Sequence, residues 1–367
     1  MSTLPPTVLH YVGYDDDRGG IVSVVRALAA TGEFSCILGV NTGFVPSREA
    51  WLPVLELPRL EGEKIGGLNF LRARAVARAV QIWLRADTTR VFHGHSRAGL
   101  LVALWLNRWG EQRVIVSVHC YGRQRWFYRW AAGKLGNRLF WLTPAMRRYY
   151  GVTGREREQC IPSCIAFPET QNLPRRRPHQ PVVVLGGVGS IIRWKGWHLL
   201  LEALATLPLE IRRNFRFVHI GSRQGSDESE RYAQELSDRV KRAGLSEVVE
   251  WRGEQPSSTA LLTEIDCLVL PSENEPFSLA MIEALFAGVP VVRADSGGAV
   301  DVIEPGVNGW LFRSGDSADL ARVLRSLVET DALAKVRIDR EGLRRFSAPA
   351  VARQWADVYA LTLEQIK

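Results

Sequence analysis

Leu268–Val292 reads LVLPSENEPFSLAMIEALFAGVPVV. An apolar run stops at Pro271 and Ser272, and a short polar loop follows. A helix begins near Ser278 and ends at Gly288, before a second apolar run, Val289–Arg293. Strand, loop, helix and strand in that order make one unit of a parallel α/β sheet. The loop then lies at the carboxyl edge of the sheet, where ligands bind in open α/β folds. The backbone N–H groups of Phe277, Ser278 and Leu279 have no acceptor inside the helix. The positive end of the helix dipole faces the same loop, which suits a diphosphate. Glu275 precedes the helix and Glu283 lies inside it, with seven residues between them. Both can accept hydrogen bonds from hydroxyl groups. A surface loop before an amphipathic helix would account for any one of these residues, but hardly for the whole string.

The same alternation extends in both directions. Thr7–Val12, Cys36–Val40, Arg90–His95 and Val114–His119 read as buried strands, and Ile21–Ala30 and Arg97–Arg108 as helices. At residues 167–181, FPETQNLPRRRPHQP, four prolines and three consecutive arginines end the pattern, as a domain linker would. It then restarts with strands at Val182–Leu185, Phe215–Ile220, Val248–Trp251, Cys267–Leu270 and Val289–Arg293. Helices are expected at Trp197–Thr206, Asp227–Ala243, Asp319–Glu329 and Pro349–Gln365.

With 367 residues the chain is too long for one ordinary core, and two domains are expected. Its 46% hydrophobic and 23% charged residues fit a globular protein. No apolar run reaches the ~18 residues that span a bilayer. The start, MSTLPPTVLHYVGYDDD, lacks a basic segment followed by a long apolar one, so no signal peptide is expected and the cytoplasm is the default compartment. The five scattered cysteines give neither a disulfide framework nor a metal-ligand spacing, and reduced thiols are expected. Residues 1–170 hold 22 Lys and Arg against 13 Asp and Glu, whereas the rest hold 25 against 26. The first half therefore carries the whole positive surplus, which points to an anionic partner there.

Three further stretches carry chemistry. In Gly186–Leu201, GGVGSIIRWKGWHLLL, a strand ends in glycines and Lys195 precedes a helix, where its ammonium can neutralise a diphosphate. In Tyr11–Ile21, YVGYDDDRGGI, Gly19 and Gly20 open a helix after the first strand, where the backbone can approach a ligand closely. The acidic Asp15–Asp17 fits a solvated turn better than a metal site. In Val114–Gly122, VIVSVHCYG, His119 closes a buried strand, a position more often held by a satisfied core histidine than by a catalytic one.

Taken with the dense string Glu275, Pro276, Phe277, Ser278, Leu279, Glu283, Ala284, Gly288, Pro290 and Val291, the chain resembles the retaining family 4 glycosyltransferases. These are group 1 enzymes of the GT-B fold. The resemblance implies an α/β GT-B architecture of two Rossmann-like domains facing across a cleft. An acceptor-binding domain would span 1–170 and a nucleotide-sugar-binding domain 171–347, with a helix at 348–367 returning to the first. It implies that Glu275 contacts hydroxyls of the donor sugar and Glu283 those of the ribose. Phe277, Ser278 and Leu279 would offer backbone donors to sugar and phosphate, and Gly221 would end a strand facing the nucleotide. Gly19 and Gly20 would lie near the diphosphate, and His119 would face the donor sugar. His93 and His95 resemble the family's H-x-H, with a structural or acceptor-side role. The family pattern G-R-L-x-x-x-K-G matches Gly189, Lys195 and Gly196, but its arginine falls on Ser190. Arg193 either supplies the missing charge or faces solvent.

The implied reaction moves a sugar, with retention, from a UDP- or GDP-sugar to an acceptor hydroxyl on a glycan or lipid-linked precursor. That makes the chain a hexosyltransferase needing neither cofactor nor metal. The competing readings are an epimerase or phosphorylase of the same fold, or a non-catalytic nucleotide-sugar-binding subunit. Gln112–Arg155 contains nine Lys or Arg and no acid, with Trp126, Phe127, Trp130 and Trp141 interleaved. Residues 121–150 therefore read either as a peripheral site for an anionic membrane at its inner face or as a solvated helix over an apolar core. No motif for nucleic-acid binding is present.

Overall fold

The computed structural model describes residues 5–16, 19–46, 52–62, 64–152, 159–166, 182–223 and 225–365. The proline- and arginine-rich break at 167–181 lies outside them. The chain divides into two compact units, residues 1–166 with 345–367, and residues 167–344.

The first unit begins with six strands, β1 Thr7–Tyr11, β2 Ser35–Asn41, β3 Val54–Leu57, β4 Arg90–Gly94, β5 Val114–Val118 and β6 Leu139–Trp141. Its helices are α1 Gly20–Ala29, α2 Gly67–Arg85, α3 Arg97–Arg108, α4 Arg125–Leu135 and α5 Pro144–Tyr150. The sheet order is β3-β2-β1-β4-β5-β6 and every pairing is parallel. Helices cover both faces, so the central strands are mostly apolar and buried along most of their length, and β5 is buried at all five residues. Helix α3 is capped by Ser96, whose side chain accepts from the Gly99 N–H at 3.1 Å.

The second unit repeats the plan. Its strands are β7 Val183–Val188, β8 Phe215–Ile220, β9 Val249–Trp251, β10 Cys267–Leu270, β11 Val291–Ala294 and β12 Gly309–Phe312. Its helices are α6 Trp197–Thr206, α7 Leu209–Arg212, α8 Asp227–Arg242, α9 Thr259–Glu264, α10 Leu279–Phe286, α11 Ser317–Glu329 and α12 Ala332–Lys335. The parallel order β12-β11-β10-β7-β8-β9 has the topology of the first sheet, strand for strand. Helix α8 shows why such a charged segment is helical. Ser226 caps it, Asp227, Glu228 and Glu230 occupy its first turn, and Arg239, Lys241 and Arg242 its last.

The chain then returns to the first unit. Ile165 N–H donates to the Phe346 carbonyl at 3.1 Å, and Ala348 N–H to that of Ile165 at 3.0 Å. Helix α13, Ala348–Glu364, follows with Ser347 as its cap. Trp355 and Tyr359 seat it. Trp355 lies against His93 and Phe140, with ring centroids 4.5 and 5.1 Å apart, and Tyr359 meets Phe34 edge-on at 5.0 Å.

The structure adds the edge strands β3, β6 and β12 and helices α2, α4, α5, α7, α9 and α12 to the elements expected from sequence. It also divides the aromatic side chains of residues 121–150 between core and surface. Trp141 is 1% exposed on β6 and Phe127 is buried, because both pack into the core of the first unit. Only Trp126 and Trp130 reach solvent from that group. Helix α13 is held partly by one polar link, Tyr359 Oη to the buried His93 Nδ1 at 2.7 Å. Tyr359→Phe should therefore leave that nitrogen unpaired and lower unfolding free energy by about 1–3 kcal/mol, read by urea denaturation. An unchanged midpoint would contradict this.

Candidate active site

The strand order reverses at one place in each sheet, between β1 and β4 and between β7 and β10. Crevices at the carboxyl ends of strands form at such switch points. In the second unit, the switch point brings the segment after β7 against the loop after β10.

That contact is made by backbone. Glu273 N–H donates to the Trp194 carbonyl at 3.0 Å. Gly196 has φ +73°, and a Cβ there would lie 2.3 Å from the Pro271 carbonyl oxygen. Glycine is thus the residue that lets the Lys195 turn approach the Glu275 loop. Gly221, at the end of β8, has φ +154°, and a Cβ on it would lie 1.9 Å from the Gly189 carbonyl oxygen. Its close approach ties β8 to the end of β7, and the Lys195 stem lies over Gly189.

Lys195 Nζ donates to Glu275 Oε1 at 2.8 Å, with both side chains largely buried. Arg293, on β11 and fully buried, places Nη2 3.8 Å from Glu275 Oε2 and 3.4 Å from the Glu275 carbonyl oxygen. Burial raises the affinity of the Glu275 carboxyl for a proton, but Lys195 and Arg293 outweigh it and hold the group down at about 2. The residue is ionised at neutral pH, and its Oε2 has no hydrogen-bond partner among the described residues. Oε2 is itself buried and faces Arg293, so the carboxylate is locked between the two cations.

Helix α10 begins beside it. Ser278 caps the helix, its Oγ accepting from the Met281 N–H at 3.4 Å. Phe277 is buried, and Leu279 opens the first turn, whose leading N–H groups have no intrahelical acceptor. Glu283 is half-buried on α10, and its Oε2 accepts from Ser258 Oγ at 2.7 Å. Arg193 does not take the place left by Ser190. It pairs with Glu235 of α8 and stacks over Tyr232, 4.8 Å from the ring centroid.

The first unit holds Gly19, Gly20 and His119. Gly19, with φ +113°, precedes α1, which opens at Gly20. His119 follows β5 half-buried, and its Nε2 lies 3.1 Å from His95 Nδ1. The acidic turn has a structural partner set, with Asp15 accepting from Asn41 Nδ2 at 2.9 Å and pairing with Arg59. His93 is fully buried between Tyr359 and Ser117.

Sequence reasoning missed Arg293 as a functional group. An arginine ending the apolar run Val289–Arg293 was the available signal, because a charged residue is not buried in a central strand without a partner.

Residues 174–342 match the family model described as glycosyl transferases group 1. The chain is 32% identical over 181 residues to the 2-deoxystreptamine glucosyltransferase of Streptomyces kanamyceticus, covering 48% of this chain and 45% of that protein. It is 33% identical over 184 residues to the D-inositol 3-phosphate glycosyltransferase of Streptomyces avermitilis, covering 48% and 39%. The matches thus span less than half of those relatives. The crystal structure of HepE from Anabaena in complex with UDP aligns with a TM-score of 0.73 at 20% identity, over 96% of this chain and 99% of that one. The likeness establishes the GT-B fold.

The Glu275 carboxyl has a folded-state proton affinity below its ordinary value of 4.5. Its stabilising effect is therefore complete above about 4.5 and is lost as pH falls toward 2. Glu275→Gln should be less stable than the parent at neutral pH, by up to about 3 kcal/mol. That gap should narrow as urea melts are repeated from pH 5 down to pH 3, and a constant gap would refute the assignment.

Proposed function

We propose that this chain, whose second unit is a group 1 glycosyl transferase domain, moves a sugar from a nucleoside diphosphate to an acceptor hydroxyl with retention at the anomeric carbon. The observation that carries the reading is the buried, ionised Glu275, held by Lys195 at 2.8 Å in the loop before α10. The names of the relatives favour transfer over epimerisation. A solved structure of the same fold holding UDP makes a UDP-sugar the first donor to test, with GDP-sugars next.

In this reaction the bond between the anomeric carbon and the β-phosphate oxygen breaks. A bond from the acceptor oxygen forms on the same face, and the acceptor proton passes to the departing phosphate. Charge develops on the diphosphate. Lys195 has three N–H donors, so it can bond Glu275 and a phosphate oxygen together. The first-turn N–H groups of α10 add fixed donors. Glu275 orients the sugar, and Glu283, beside Ser258, serves the ribose. Gly19 and Gly20 admit the diphosphate, and His119 the donor sugar. No metal enters the scheme, and activity should persist with a chelator present.

Lys195→Ala and Glu275→Ala should each lower kcat by roughly 10²- to 10³-fold, the usual cost of removing one fixed electrostatic group. Both should still unfold cooperatively, and normal turnover in either would sink the reading. In the parent chain, UDP at ~100 times its Kd should stabilise by roughly 2.7 kcal/mol, seen as a rise in Tm.

The acceptor is proposed to be a glycan or lipid-linked precursor, reached at an anionic membrane surface. Trp126 and Trp130 lie one turn apart on α4, 65% and 45% exposed, among exposed Arg123, Arg125, Arg129 and Lys134. Among the described residues no helix is long and apolar enough to cross a membrane, so such contact would be peripheral. Vesicles rich in phosphatidylglycerol should sediment the chain and phosphatidylcholine vesicles should not. Arg125→Glu with Arg129→Glu should abolish sedimentation, as each cation near such a surface contributes about 1 kcal/mol. Equal binding to both vesicles would overturn the membrane reading.

A further inference from the structure

Four titratable side chains join across the first sheet near its switch point. Cys36 Sγ lies 3.6 Å from His10 Nε2, His10 Nδ1 lies 2.9 Å from His95 Nε2, and His95 Nδ1 lies 3.1 Å from His119 Nε2. Cys36 is on β2, His10 on β1, and His95 and His119 follow β4 and β5. Cys36, His10 and His95 are buried, while His119 is half-buried at the carboxyl edge. The links run head to tail, each using one nitrogen of a ring and leaving the other for the next.

A metal centre is the competing explanation, because His10, His93 and His95 place ligand-type atoms within 4.8 Å of one another. The ring geometry opposes it. His93 and His95 stack with centroids 4.0 Å apart and planes 30° apart, so their in-plane lone pairs cannot converge on one ion. Both nitrogens of His93 are also engaged, by Tyr359 Oη at 2.7 Å and Ser117 Oγ at 2.8 Å. His93 thus belongs to a separate circuit.

We propose that Cys36, His10 and His95 act as positioning residues that fix the tautomer of His119, so that its Nδ1 presents an N–H donor at the carboxyl end of β5. This rests on the reading that His119 serves the donor sugar.

The direction follows from counting hydrogens. Burial lowers His10 to about 3 and His119 to about 4, and holds His95 well below its ordinary value. Each ring is therefore neutral and carries one N–H at neutral pH. Burial pushes the Cys36 thiol up to about 12, so it keeps its hydrogen. Run outward, Cys36 S–H donates to His10, His10 Nδ1–H to His95 and His95 Nδ1–H to His119. Every hydrogen then has an acceptor, and His119 Nδ1–H is left for a ligand. Run inward, the last N–H falls on sulfur, a weak acceptor, and the chain places no thiol hydrogen. The outward direction satisfies more buried groups. The partner of one ring nitrogen sets the state of the other. His119 so fixed can donate to a sugar or phosphate oxygen and cannot remove the acceptor proton, which leaves that proton to the departing phosphate.

The test uses the full chain labelled with ¹⁵N at histidine. Long-range ¹H–¹⁵N correlations report the tautomer of each ring, with single His→Gln variants for assignment. His10, His95 and His119 should all be Nδ1–H, with Nε2 unprotonated. Cys36→Ser keeps a donor and should keep the pattern. Cys36→Ala removes it, and His119 should shift toward Nε2–H while kcat for sugar transfer falls by up to roughly tenfold, the effect of one neutral hydrogen bond. KM for the nucleotide sugar should move less, and Cys36→Ser should restore kcat. A parent chain with His119 as Nε2–H, or tautomers unmoved in Cys36→Ala, would overturn the proposal. Expected tautomers with no transfer from any nucleotide sugar would instead overturn the proposed function and leave the histidine chain standing.

Discussion

A carboxylate inside a protein must be neutralised or paired, and the second unit is arranged around pairing Glu275. Its partners come from different segments. Lys195 follows β7, and Arg293 ends the apolar run of β11. Bringing the first within 2.8 Å requires the 193–196 turn to press against Pro271, which requires glycine at 196. Gly297 faces the same demand from the other side, since a Cβ there would lie 2.0 Å from the Glu275 carbonyl oxygen. The parallel order of the sheet places β7 beside β10 and β10 beside β11, so all these segments meet at one edge. Removing one partner of such a buried pair leaves an uncompensated charge, far costlier than the pair itself is favourable. The interaction therefore specifies one arrangement of loops more than it adds net stability.

This explains which parts of the structure were legible in the sequence. Apolar runs bounded by glycine and proline revealed the central strands, because burial on both faces forces that composition. The strand–loop–helix string at Leu268–Val292 marked the candidate site, because backbone approach and helix start are encoded locally. Edge strands β3, β6 and β12 were not legible. They are three or four residues long, and β3 is only partly buried, so little apolar pattern marks it. Arg293 was hidden for a different reason. Its role depends on Glu275, eighteen positions earlier, and on strand order, which periodicity does not report. The histidine chain was illegible for the same cause. His10, Cys36, His95 and His119 come from four strands or strand ends, and only the register brings their rings together.

The two units solve the burial of polar groups in opposite ways. The second keeps its central group ionised, with two cations opposing the desolvation of one carboxylate. The first keeps its imidazoles neutral, and burial lowers their proton affinity until each holds one hydrogen. Neutral rings in series transmit orientation, since fixing one N–H fixes the next. A fixed charge transmits field strength, since a preorganised ammonium needs no reorganisation when a leaving group departs.

Ser190 bears on the balance between them. Two cations beside the diphosphate would share its charge, and serine at 190 leaves one of those positions neutral. Arg193 cannot move into that role without giving up Glu235 and its stacking on Tyr232. Arg293 is cationic and close, but it lies fully buried behind Glu275 and acts on the carboxylate rather than on a ligand. In the proposed reaction the charge facing a diphosphate would then be Lys195 together with the first turn of α10. The ammonium and the backbone N–H donors differ in kind, because the ammonium shares its donors with Glu275. Under the proposed function, leaving-group stabilisation would therefore lean on the position of Ser278 and the start of α10 more heavily than in a two-cation site.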